Sequence, residues 1–163
     1  MTRIAFAAAS LLVLSACGSE QSGTVVTEEG EVDYSVDAST GETTFTINSE
    51  DGDVEISGGS GLTGGFPDGY RQYPGSNVVT SSSVSHEEGN ADRIMMNTSA
   101  SVDDIVAFYR GQAEARGVEI STEFSSDVQH MIAGEAPDGE IFSLTVIEGT
   151  GVNTINLIIT KGM

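Results

Sequence analysis

Ser101-Val102-Asp103-Asp104-Ile105-Val106-Ala107-Phe108-Tyr109-Arg110-Gly111-Gln112-Ala113-Glu114-Ala115-Arg116-Gly117-Val118 is the stretch where hydrophobic spacing turns helical. Val102, Ile105, Val106 and Tyr109 fall on one stripe, which Phe108 and Ala113 widen. Ser101 stands at the N-cap, with Asp104 at capping-box spacing. Asp103 and Asp104 sit at the positive end of the helix dipole, and Arg110 and Arg116 lie toward the negative end. Gly117 supplies the left-handed stop, with Val118 as the apolar residue that follows such a stop.

Strands flank this helix. Upstream, Asn77-Val78-Val79-Thr80 through Ser85 and Asp92 through Thr98 read as two strands joined at Glu87-Glu88-Gly89-Asn90. Downstream, Glu119–Phe124, Val128–Glu135, Glu140–Glu148 and Val152–Lys161 alternate with period two. Pro137-Asp138-Gly139 and Gly149-Thr150-Gly151 read as hairpin connections. Phe66-Pro67-Asp68-Gly69 and Tyr73-Pro74-Gly75 are turns whose aromatic rings can lie over a core edge. The order β-β-α-β-β-β-β predicts a two-layer α+β domain over residues 66–163, an antiparallel sheet with one helix across one face.

Residues 18–65 differ in kind. They hold eleven acids and no lysine or arginine, and they close on the glycine- and serine-rich run from Ser57 to Gly65. Residues 17–30 read as a solvated tether. Across 31–65, Val32, Tyr34, Val36, then Thr43, Phe45, Ile47, then Val54, Ile56 alternate with polar residues, with turns at Ser39-Thr40-Gly41 and Glu50-Asp51-Gly52. Either a small acidic β-meander or a disordered segment fits this composition. On this reading residues 18–65 are dispensable for the fold of the remainder.

The amino terminus has the layout of a secretory signal: Arg3, an apolar run from Ile4 to Leu14, then small residues. The run is about half the roughly 20 residues that a membrane span requires. Leu14-Ser15-Ala16-Cys17 resembles the lipobox of bacterial lipoproteins. The resemblance implies a signal peptide over 1–16 and lipid on Cys17, the chain's single cysteine. With Gly18 rather than aspartate after the cysteine, it also implies an outer-membrane location facing the periplasm in preference to the inner membrane. Tyr73-Pro74-Gly75-Ser76, Thr98-Ser99-Ala100-Ser101 and Val106-Ala107-Phe108-Tyr109-Arg110 resemble a pattern in uncharacterised bacterial envelope α+β domains. That resemblance covers roughly residues 66–163 and implies a fold but no activity.

Charge and composition remove several function classes. The 163 residues hold 25 acids against 6 bases, a formal charge of −19. Such a chain repels nucleic acid, and at most it associates weakly with divalent cations. His86 and His130 are far apart and not in paired-ligand spacing, so no metal site is expected. Laying an EF-hand frame over Gly52 places Ile47 and Gly58 at ligand positions, where both fail. There is no Gly-x-Ser-x-Gly elbow, and the run from Gly58 to Gly65 lacks the Lys-Ser/Thr ending of a phosphate loop. No catalytic residue or cofactor is expected.

The reading that remains is a lipid-anchored, non-enzymatic binding or support module with an envelope partner. The alternative is a small envelope enzyme or enzyme inhibitor with a dispersed site. A cleft joining Tyr70, Arg71, Tyr73, His86 and Arg93 would favour that alternative, and an exposed apolar patch the binding module.

Overall fold

The computed structural model describes residues 20–27, 30–49, 52–59, 62, 65–87 and 89–162. The lipobox and Cys17 lie outside the described residues. Ten strands and one helix follow in the order β1 (Glu20–Thr27), β2 (Gly30–Asp37), β3 (Glu42–Ser49), β4 (Gly52–Gly58), β5 (Asn77–His86), β6 (Gly89–Thr98), α1 (Val102–Ala115), β7 (Glu119–Ser125), β8 (Gln129–Glu135), β9 (Ile141–Ile147) and β10 (Asn153–Lys161). All ten strands join one sheet, ordered β1-β2-β3-β4-β5-β6-β10-β9-β8-β7, and every pairing is antiparallel.

The α+β class expected from the sequence is thereby overturned. Among the described residues strand accounts for 60% and helix for 11%, so the fold is predominantly β, with a single 14-residue helix. The reason lies in the acidic segment. It supplies four strands to the same sheet, and β1 occupies much of the stretch read as a tether. Nor does the glycine-rich run interrupt the sheet, since β4 pairs with β5 from Asp53↔Ser85 to Gly58↔Thr80. Backbone hydrogen bonds need no apolar core, so the lack of large side chains did not prevent pairing. The β2–β3 turn shows how such a segment is pinned. The Asp37 side chain accepts from the Ser39 N–H at 2.8 Å and the Ser39 hydroxyl at 2.6 Å, and the Gly41 N–H bonds back to the Asp37 carbonyl at 2.7 Å. The two Ser39 bonds hold the Asp37 carboxyl below its usual range.

α1 forms where its spacing predicts. Ser101 caps it, accepting from the Asp104 N–H at 3.2 Å. At the other end the Gly117 N–H bonds to the Glu114 carbonyl and the Val118 N–H to the Ala113 carbonyl, both at 3.0 Å. This paired closure requires the left-handed Gly117, at φ 85°. The helix buries Ile105, Tyr109 and Ala113 against β7, β8 and β9. Beneath it lie Ile94, Met96, Ile132, Phe142, Leu144, Val146, Ile155 and Leu157, all fully buried or nearly so.

The core starts late in the chain. Among the described residues of 21–59 none is buried, whereas Leu62 is 4% exposed and belongs to the core cluster. The edge of the packed unit is therefore at Leu62, inside the run read as a linker.

Tyr109→Ala should cost about 3–5 kcal/mol, because the ring is wholly enclosed. Phe108, only partly buried against Tyr73, should cost about 1–2 kcal/mol on the same change. Urea titration of the two variants measures the difference. A chain truncated to begin at residue 61 should still melt cooperatively. One beginning at residue 65 should lose about a further 2 kcal/mol with Leu62.

Candidate functional site

Tyr70 was a cleft candidate, and the structure gives it another role. It is 4% exposed, and its ring stacks on Phe142 at 5.9 Å with an 11° interplanar angle. Its hydroxyl donates to Glu140 Oε1 at 3.0 Å. Arg116, just past α1, donates to the same carboxylate through Nε at 2.8 Å and also through Nη2. The guanidinium lies 5.4 Å from the Tyr70 ring centroid. Gly69 leaves room for the approach, since a Cβ there would collide with Arg116 Nη1. Glu140 is 2% exposed, and the Arg116 hydrogen bonds hold its carboxyl below the ordinary range against the opposing effect of burial. Burial first, then Glu140, pushes the Tyr70 phenol up. A carboxylate so enclosed and fully partnered fastens the 66–73 segment to α1 and β9 and offers nothing to a ligand.

The other four cleft candidates are dispersed. Tyr73 meets Phe108 edge-on at 5.1 Å, and its N–H donates to the Tyr109 hydroxyl at 3.1 Å. The Arg71 N–H donates to Gln112 Oε1 at 2.7 Å. Arg93 lies on the reverse face of the sheet, where its Nε donates to Asn156 Oδ1 at 2.8 Å. His86 ends β5, opposite Gly89 in the β5–β6 hairpin. Tyr70, Tyr73 and the Arg71 backbone thus pack on the helix side, Arg93 stands on the other side, and His86 is at a hairpin tip.

Sequence reasoning missed a second pair. Ser125 and His130 face each other across β7 and β8, with Ser125 Oγ 2.9 Å from His130 Nδ1. They border a groove of about 120 Å³ lined also by Asp103, Val106 and Glu123. Glu123 is paired there with Arg110 at 2.9 Å. The contact closes the hairpin in register, which no linear hydrolase motif would reveal.

The most extensive feature is the face of the sheet that α1 does not cover. Its geometry follows from two adjacent rows read across the strands. One row runs Tyr34-Phe45-Ile56-Ser82-Arg93-Ile158-Ser143, and its neighbour runs Asp33-Thr46-Glu55-Ser83-Asp92-Ile159-Phe142. The first row is apolar on β2–β4 and mainly polar beyond; the second is polar or acidic on β2–β4 and enters the core at Ile159 and Phe142. The apolar side therefore reverses between the two halves of the sheet. Because alternate residues share a face, Val25, Val32, Tyr34, Phe45, Ile47, Val54 and Ile56 form one surface with no charged group on β2–β4. Glu31, Asp33, Asp37, Glu42, Asp53 and Glu55 all lie on the opposite face. Five of the apolar residues are well exposed: Val25 54%, Tyr34 37%, Phe45 46%, Ile47 38% and Ile56 41%. Phe124, Ile141 and Ile147 extend exposed apolar surface onto the same side of β7 and β9. The alternation was visible in the sequence, but the side on which it falls depends on strand register.

Among the described residues, no helix is long and apolar enough to cross a membrane, and no group of three His, Cys, Asp or Glu is placed to hold a metal ion.

Glu140→Gln should destabilise the protein by about 3 kcal/mol at pH 7, because Arg116 and Tyr70 then face a neutral partner. The folded carboxyl is held low, so its contribution is complete above the unfolded value near 4.5 and is lost as pH falls through the lower folded value. Thermal melts from pH 7 to pH 2 should show the wild-type advantage shrinking on that acid limb.

Neither the curated proteins nor the solved structures include a match to this chain. A family model described as START domain-like matches residues 78–151, from β5 through α1 to the turn after β9, and leaves out β1–β4 and β10. The START-like fold is a helix-grip arrangement, and in this chain the matched portion is the part of the sheet that closes on α1.

Proposed function

We propose that this protein is a lipid-anchored component of the bacterial cell envelope, held through lipid on Cys17 and acting as a non-enzymatic binding module. The uncharged apolar face of β1–β4 carries the proposal. A monomer's largest apolar patch is commonly about 300–600 Å² and is often functional. Here such a patch is segregated from the six carboxylates of β2–β4, and a face cleared of charge is what the centre of a recognition surface has. The START domain-like similarity of residues 78–151 also supports a binding role for the packed unit. The lipobox resemblance supports anchoring in the outer membrane, facing the periplasm, which would set the sheet close to that surface.

Two measurements test the two halves of this reading. Cys17→Ser should move the protein out of the carbonate-resistant membrane fraction; retention at the wild-type level would remove the anchor. Phe45→Glu with Ile56→Glu should abolish capture of envelope components from solubilised membranes. The core should be little affected, because neither side chain belongs to it. Unchanged capture at unchanged stability would remove the face as the binding surface.

A further inference from the structure

We infer that the apolar face of β1–β4 is covered by the same face of a second copy of this chain, as a face-to-face sheet pair. The inference rests on the preceding reading of that face as the binding surface and names its occupant.

Three observations select a second copy. First, among the described residues these four strands have no covering layer of their own. α1 packs on β7, β8 and β9, and it lies on the other side of the sheet. An antiparallel sheet with one apolar face is completed by another layer, and a second sheet packs at about 10 Å with its side chains interdigitating. The row of valine, isoleucine, tyrosine and phenylalanine is chemically its own complement.

Second, the area is sufficient. Four strands about 4.8 Å apart and eight residues long at about 3.3 Å per residue present roughly 500 Å². Two such faces remove about 1,000 Å² from water, the minimum for a biological interface and the size of a weak, exchanging one.

Third, charge does not oppose this geometry. A chain with formal charge −19 should resist self-association, yet Glu31, Asp33, Asp37, Glu42, Asp53 and Glu55 point away from the contact. Across a sandwich the two acidic faces stand about 20 Å apart from the sheet spacing. That is more than twice the screening length of about 8 Å at physiological ionic strength. Turning one copy around would bury its carboxylates against the apolar face of the other, and turning both would bring the two sets of carboxylates together.

A benzophenone amino acid placed at position 45 of the full chain, expressed in cells and irradiated, tests the inference. The expected product has twice the chain mass and contains this chain alone. Position 46, on the acidic face, and position 26, on the edge strand β1, should not give it. Ile56→Glu in the same chain should reduce the product at least tenfold. Tyr34→Gln, which adds no charge, should reduce it several-fold if the glutamate variant accumulates poorly. Cross-linking to a different protein from position 45 would overturn the second copy and leave the binding face standing. No protein adduct from position 45 would overturn the second copy as well. A homodimer linked from position 26 instead would show edge pairing and overturn the face-to-face arrangement. Failure of the binding face itself is read separately, from unchanged capture by the Phe45→Glu, Ile56→Glu chain.

Discussion

A carboxylate with 2% exposure is costly unless it is hydrogen-bonded, and Glu140 accepts three hydrogen bonds from two residues. Arg116 reaches it from the end of α1, Tyr70 from the turn-rich segment before β5, and its own backbone sets it at the entry to β9. The packed half of the molecule is organised around that point. Phe142, two residues on, stacks beneath Tyr70, and Gly69 keeps clear the space that Arg116 occupies. If the pair were broken by removing Arg116, Glu140 would be left buried without a counter-charge, and the 66–73 segment would be held to β9 by the Tyr70–Phe142 stack and the Tyr70 hydroxyl alone. Such a pair gives less net stability than a fully apolar replacement could. What it does here is fix which turn packs on which strand.

The helix and the strands nearest it were legible because their signals are local. The stripe through Val102, Ile105 and Tyr109, the Ser101 cap and the Gly117 stop each depend on residues within a few positions. Glu140 was legible in principle, since it is in phase with Phe142, Leu144 and Val146 and so falls on the buried side of its strand. The acidic segment was not legible as part of the same sheet. Strand pairing between β4 and β5 is a backbone interaction between positions 22 to 32 residues apart, and composition carries no trace of it. The meeting of Ser125 with His130 and the placement of Tyr70 and Arg93 on opposite sides of the sheet also follow from register and face. The fate of Cys17 belongs to processing, which lies outside folding physics.

The reversal of the apolar side across the sheet divides one continuous hydrogen-bonded ladder into two energetic regimes. From β5 onward, burial under α1 accompanies pairing, and the side chains of Ile94, Leu144 and Leu157 are wholly enclosed. From β1 to β4, pairing proceeds with no buried residue among those described, so ladder bonds, turn chemistry such as that at Asp37, and half-exposed cross-strand apolar pairs must hold the strands. Stability should therefore decline from the helix-covered strands toward β1.

The antiparallel succession of β1 to β4 has a mechanical meaning when the chain is held from its amino-terminal side. Tension applied there peels a meander strand by strand, breaking a few ladder bonds at a time instead of shearing them all together. Fully drawn out, residues 20–58 would span about 130 Å, while the helix-covered unit stayed closed behind Leu62. The four outer strands would then serve as a reel of stored length between a fixed point and the folded unit, yielding at low force and rewinding when the tension is released.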